Sequence, residues 1–334
     1  MTCEIDFAKL KGAKRLLIEA QLRPIQGERF QTTGFADLGA ATYQLPDGTR
    51  MLLVESAQSM ANRMEQALMG PDNKLIPELE GLPYVAAKLE GDMDTVTNSL
   101  LEAHRLNSPY IISDKDFKEA FSEKAGYQRY LPLDWRKIAA AVLHYDANAL
   151  LHGVFMANLE DGRIKMPRAL SAFIEARNTR EVFTGGVKNN SIDPTGKMRA
   201  VDYDKDVYGN VPYQRVEFTA GEITAYFNLD LGQLRGFGLS DEAVELLIAL
   251  ALYKIAWFLD EGTRLRTACD LAVHEGPTVK EPSGFVLPER ESLLACVQDR
   301  IKACKKLFAD PPVTEVTTKV KLAKKGSDQT AEAE

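Results

Sequence analysis

The chain has 334 residues, 45% hydrophobic and 27% charged, with a formal net charge of −7. That length holds one large domain or two ordinary ones and buries a sizeable core. The balance is that of a soluble globular protein and excludes one coated in basic patches.

The first apolar run, Arg15–Leu22, predicts a strand, and RPIQGERFQTTGF (residues 23–35) opens from its end as a polar excursion too long for a hairpin turn. A second strand is expected at Met51–Glu55. SAQSMANRMEQALMG follows, with Ala57, Met60, Ala61, Met64 and Leu68 at helical spacing, Ser56 as N-cap and Gly70-Pro71 as stop. The other face of that helix carries Gln58, Ser59, Asn62, Arg63 and Gln66. It reads either as a solvated surface or as a set of amides and hydroxyls suited to sugars, phosphates and base edges. Trp135–Leu150 reads as helical, the stretch around His152–Asn158 as a strand, and Asp161-Gly162 as a turn. A Gly/Asn/Asp-rich excursion over residues 184–212 is too long for an ordinary loop. It predicts a projecting hairpin with Val182-Phe183 and Val211–Val216 paired at its base. Around it, residues 163–215 hold ten Lys/Arg against six Asp/Glu, a local excess of four positive charges. A strand with period-2 character is expected near Val216–Asp230.

Ser240 is expected to cap a long apolar helix that ends near Glu261-Gly262. Its apolar run, Ala243–Leu259, contains Glu245 and Lys254 and is shorter than a membrane span. Arg264–Gly276 reads as a strand, and Glu291–Phe308 as an amphipathic helix with Leu294, Val297, Ile301 and Phe308 inward. After Leu322 few bulky apolar residues remain, and a frayed end is expected. Strands interspersed with helices without a regular βαβ period indicate an α+β fold. The N-terminal MTCEIDFAKLKGAKR lacks a signal-peptide core, from which a cytoplasmic protein is expected. Cys3, Cys269, Cys296 and Cys304 show no zinc spacing and are expected as reduced, buried thiols.

No catalytic motif stands out. SIDPTGKM (Ser191–Met198) lacks the first glycine and the Ser/Thr of a P-loop. GQLRGFG (Gly232–Gly238) reads as a flexible connector or as a backbone-amide site for phosphate. His144 and His152 lie in apolar company and read as satisfied core residues. His104, beside Arg105, Asn107 and Ser108, reads as a surface turn or a contact site.

Four stretches taken together carry a resemblance: QGERFQTTGFADLGAATY (Gln26–Tyr43), LVESAQSMANRMEQAL (Leu53–Leu68), EAHRLNSPYI (Glu102–Ile111) and GTRLRTACDL (Gly262–Leu271). In this order the chain resembles the guide-RNA-binding backbone subunit of the type I-G (formerly I-U) CRISPR surveillance complex, a member of the RAMP superfamily, over roughly residues 12–308. The resemblance implies an RRM-like, ferredoxin-like palm over residues 1–310 with insertions near 71–135 and 176–215, the latter thumb-like, and a partly flexible tail over 311–334. It implies crRNA, the target DNA strand, further copies in a head-to-tail filament, other complex subunits and a recruited helicase–nuclease as partners. No membrane, metal, cofactor or catalytic residue is implied.

On that resemblance the guide backbone would be met by Arg23, Gln26, Arg29 and Gln31 of the opening loop and by Ser59, Asn62 and Arg63 of the helix. Gly27 and Gly34 would permit close approach, and Phe30 or Phe35 would stack on a base. His104, Arg105 and Asn107 are further candidates, with Arg177, Arg180, Lys188, Asn189, Lys197 and Arg199 on the thumb. An endoribonuclease using His104, Asp193 or Asp202 is the alternative, and a small-molecule enzyme built on GQLRGFG a third reading.

Overall fold

Alternation sets the first strand, β1 (Leu16–Pro24): Leu16, Ile18, Ala20 and Leu22 turn inward while Leu17, Glu19 and Gln21 face partly outward. The structure is a computed structural model describing residues 2–35, 39–90, 95–196 and 209–318. β1 lies inside a seven-stranded sheet whose other members are β2 (Thr42–Gln44), β3 (Arg50–Glu55), β4 (Leu170–Arg177), β5 (Glu222–Leu229), β6 (Arg264–Arg266) and β7 (Cys269–Glu281). The strand order is β6-β7-β1-β5-β4-β3-β2, and every neighbouring pair is antiparallel.

Two helices cover this sheet where the capping signals place them. Ser56 Oγ accepts Ser59 N–H and starts α1 (Ala57–Glu65), which buries Met60, Ala61 and Met64. Trp135–Leu150 is helical as expected, in two pieces, α2 (Trp135–Tyr145) and α3 (Ala147–His152). Asp146 between them is extended and caps α3 through Ala149 N–H. Ser240 caps α4 (Asp241–Glu261), which is buried on nearly all sides and forms the core helix. Against it lies α5 (Arg290–Cys304), where Leu293, Val297 and Ile301 are buried and the expected Leu294 is only partly so.

The hairpin is longer than its expected base. Arg180–Lys188 pairs with Val211–Thr219 over nine rungs, among them Phe183 with Val216, and springs from between β4 and β5. At about 3.4 Å per residue it reaches roughly 30 Å. The strand expected over Val216–Asp230 is therefore split, its second part being β5. The strand expected over Arg264–Gly276 is likewise a hairpin of β6 and β7.

Three further expectations are corrected. The GQLRGFG stretch is neither a loop nor a phosphate cradle: Leu231–Gly236 is a short helix capped by Asp230, and Arg235 donates to the carbonyls of Leu10 and Ala13. Residues 311–334, expected to be partly flexible, begin with an ordered strand. Val313–Thr318 pairs in parallel with Tyr84–Leu89, which also pairs with Thr95–Asn98. Finally, Cys3 and Cys296 form a disulfide, whereas Cys269 and Cys304 are free and burial pushes both thiols up to about 11. Among the described residues no helix is long and apolar enough to cross a membrane, and no cluster of side chains suits a metal ion.

Candidate nucleic-acid interface

The opening loop is stitched down at intervals. Ile25 N–H donates to Asp270 O at 3.0 Å, Gln31 N–H to Ala268 O at 2.8 Å, and Thr32 Oγ1 to Leu53 O at 2.8 Å. Phe30 exchanges two backbone hydrogen bonds with Phe218, of 2.9 and 2.8 Å, which fixes the loop to the base of the hairpin. Its ring is 1% exposed and belongs to the core, so it cannot stack on a base as expected. Phe35 has its backbone paired to Gly39, and its side chain lies outside the described residues.

The loop leaves Arg23, Gln26, Gly27 and Arg29 in solvent, beside exposed Ile25 and Glu28, with Gln31 half-buried. Gly27 has φ +72°, a left-handed conformation that glycine adopts without strain. Gly34 lies so near the returning chain that a Cβ there would meet Gly39 O at 2.6 Å. Arg29 Nη1 sits 3.4 Å from Glu217 of the hairpin, whose carboxylate also takes Arg215 at 2.8 Å.

Behind the loop, α1 contributes an anchored pair rather than two free contacts. Buried Glu55 accepts from Ser59 Oγ and from Arg266 Nη2, with Arg63 Nε at 3.3 Å. Arg63 Nη2 donates to Leu265 O, and Arg266 Nη1 reaches Gln31 O at 3.1 Å. Two guanidinium groups thus share one carboxylate, leaving one positive charge where loop, helix and β6 meet. The expected roles of Ser59 and Arg63 as free surface contacts are corrected to this extent: both are spent first on Glu55. Asn62, one turn along, is exposed. Arg266 and Glu55 were not singled out from the sequence. The signal lay in the GTRLRTACDL stretch, whose Arg266 pairs with a carboxylate more than two hundred residues earlier.

A cleft of about 520 Å³ lies beside the loop, lined by Gln31, Thr32, Gly34, Glu181, Val216 and Phe218. It adjoins a smaller one of about 290 Å³ between Tyr43, Arg50 and Thr179. At that end Tyr43 OH donates to Glu175 at 2.6 Å, and burial followed by that carboxylate pushes the phenol up to about 12. Arg177 stands 3.9 Å from Asp47, and Arg180 is exposed at the hairpin's foot. Lys188 and Asn189 are exposed far out on the hairpin, while Lys197, Arg199 and Asp202 lie outside the described residues. The outer part of one hairpin face carries no charge: Phe183 (79% exposed), Gly185 and Val187 stand opposite Val216, Gln214 and Pro212, with Glu181 on the same face at the foot.

The 102–111 stretch goes elsewhere. His104 is exposed, but Arg105 is partly buried and paired with Glu65, and Asn107 accepts Asn158 N–H at 2.9 Å. Arg105 and Asn107 are structural, which removes them from the candidate contacts. Asp193 is buried and accepts Thr195 Oγ1 at 3.0 Å.

A family model described as CRISPR-associated protein GSU0053 matches residues 16–181, the stretch from β1 through the loop, α1 and β4 to the foot of the hairpin. No curated protein matches the chain. Among solved structures the chain is similar to one in "CRISPR RNA-guided surveillance complex, pre-nicking" at 15% identity, covering 78% of this chain and 76% of that one with TM-score 0.39. A chain of "CRISPR RNA-guided surveillance complex" aligns at 14% identity over 72% and 71%, TM-score 0.30. "Crystal structure of Thermofilum pendens Csc2" aligns at 10% identity over 90% and 80%, TM-score 0.28.

Proposed function

We propose that this chain is a guide-RNA-binding backbone subunit of a CRISPR surveillance complex, of the type I-G kind. The observation that carries the reading is a coincidence of place. The match to a CRISPR-associated family spans residues 16–181, which includes both the opening loop and α1. The order β7-β1-β5-β4, with α1 in the segment from β1 to β4 and α4 between β5 and β7, supports an RRM-like palm. The hairpin between β4 and β5 is then the thumb.

In this reading the exposed arginines of the loop and of the hairpin's foot hold guide phosphates. The shared charge of Arg63 and Arg266 adds attraction at the back of the groove. The uncharged outer part of the hairpin face, beyond Glu181 and headed by Phe183, interrupts the pairing between guide and target strand. Such contacts read phosphate and shape, and the guide's own bases carry specificity. Copies assemble head-to-tail, a heterologous contact that does not close. The subunit cuts nothing itself, and a helicase–nuclease recruited to the complex, in the cytoplasm, severs the DNA.

Co-expression with a CRISPR array tests this. The protein should purify as a large particle with nucleic-acid absorbance, and a monomer with the spectrum of bare protein would overturn the reading. Arg29→Ala should lower the salt slope of RNA binding by about 0.7, the value of one single-strand phosphate contact. Cleavage of labelled repeat or target RNA, abolished by His104→Ala or Asp193→Ala, would establish the endoribonuclease instead.

A further inference from the structure

Aromatic rings and cations interleave on a surface that the guide groove does not use. The guanidinium of Arg129 lies 5.0 Å from the centroid of Tyr130, Arg163 lies 5.5 Å from that of Tyr127, and Lys165 Nζ lies 5.6 Å from that of Phe155. Tyr130 is 82% exposed, Phe155 49% and Trp135 47%. Arg163 makes the patch continuous by donating to Leu131 O at 2.9 Å and Gln128 O at 3.2 Å while pairing with Asp161 at 2.7 Å. Ile164 is buried, so Arg163 and Lys165 turn together to solvent.

Two features argue that the surface is held ready for a ligand. Tyr130 has φ +69°, rare for a bulky residue, and this backbone presents a ring to water rather than to the core. Neither Arg129 nor Lys165 forms an ion pair among the described residues, in a chain whose formal charge is −7. A protein partner would need the rings but not the unpaired cations. A polyanion with flat bases needs both.

The place is separate from the groove. β4 and β5 pair from Leu170 with Leu229 to Arg177 with Glu222, and the hairpin leaves at the second end. Residues 154–166 lead into the first end, roughly 24 Å of strand away, and Arg163 ties residues 128 and 131 to them.

We propose that this surface is a second binding site, a stacking platform for single-stranded nucleic acid, with Tyr130, Phe155 and Trp135 receiving bases and Arg129 and Lys165 meeting phosphates. Stacking of this kind tolerates any sequence, because every base offers a π-face.

The chain has two tryptophans, Trp135 and Trp257. A Trp257→Phe chain therefore reports from the platform by fluorescence. Adding a dT20 oligonucleotide should quench Trp135 saturably and reversibly with salt. Tyr130→Ala with Phe155→Ala in that background should weaken dT20 binding about tenfold or more, with the melting transition kept. Arg129→Ala should lower the salt slope by about 0.7.

Binding without quenching, or binding indifferent to the double substitution, places the strand elsewhere and overturns the proposal, as does no binding. Loss of self-association or of a co-purifying protein, with dT20 binding intact, would make the patch a protein contact and also overturn it. Retention of guide RNA by the chain carrying Tyr130→Ala with Phe155→Ala reports on the groove alone. Its failure would strike the proposed function and leave the platform standing.

Discussion

Arg105 lies across Glu65 as a bidentate pair, Nε to Oε1 at 2.8 Å and Nη2 to Oε2 at 2.9 Å, and also donates to Gly153 O at 3.1 Å. Asn148 Nδ2 reaches the same carboxylate at 2.7 Å, and Lys254 donates to Asn148 Oδ1. Removing the guanidinium would leave a buried carboxylate charge without its main partner. Arg105→Ala should destabilise the protein by about 3–5 kcal/mol. Urea unfolding should register the loss, and the salt slope of RNA binding should stay unchanged.

The same network makes stability depend on pH. Burial lowers Lys254 from 10.5 to about 7, with Glu65 and Asp146 opposing the shift and Arg105 adding to it. Burial also holds His152 well below its usual range, so its neutral Nε2 accepts from Lys254 at 3.0 Å. Between about 7 and 10.5 the unfolded chain binds the lysine proton that the native protein does not, so stability rises with pH. Asp146, raised by burial from 3.8 to about 6, acts in the other window: the native state holds the extra proton, so stability falls as pH rises through it. Lys254→Met should remove the alkaline gain. Unfolding midpoints at pH 7 and pH 10 should show the natural chain gaining on the variant.

Local signals were legible in the sequence, and distant partners were not. Ser56 and Ser240 were readable as caps because the hydrogen bond that defines them closes within three residues. The hairpin was readable from its Gly/Asn-rich excursion. Asp146 defeated the helical period because an aspartate inside an apolar pattern can stop one helix and cap the next. Phe30 and Arg105 looked like free surface residues because they sit among polar neighbours, and only Phe218 and Glu65, far away in the chain, explain why Phe30 is buried and Arg105 is engaged. Val313–Thr318 is polar and short, and pairing with Tyr84–Leu89 decides its state. Arg63 was placed on the correct helix face, but its first partner is a carboxylate of this chain.

Cys3 joins the first residues of the chain to Cys296 on α5. The unfolded chain would be constrained by so long a loop, for which the usual stabilisation is about 2–4 kcal/mol. Cys3→Ser should lower the melting temperature, and a reductant should lower that of the natural chain to match. Equal melting of all three would mean that the bond contributes nothing.

Glu55 organises the back of the proposed groove without facing it. Its carboxylate holds Arg266 and Arg63, and Arg266 in turn holds the loop through Gln31 O at 3.1 Å. Arg266→Ala should therefore act twice. It removes one positive charge, lowering the salt slope by up to about 0.7. It also frees the loop between its bonds to Ala268 and Leu53, which should increase hydrogen exchange at residues 26–33. Arg266→Lys restores the charge but not the fork that spans Glu55 and Gln31 O. The lysine variant should recover the salt slope while exchange in the loop stays fast. If it recovered both, charge alone would be acting and the fork would have no positioning role.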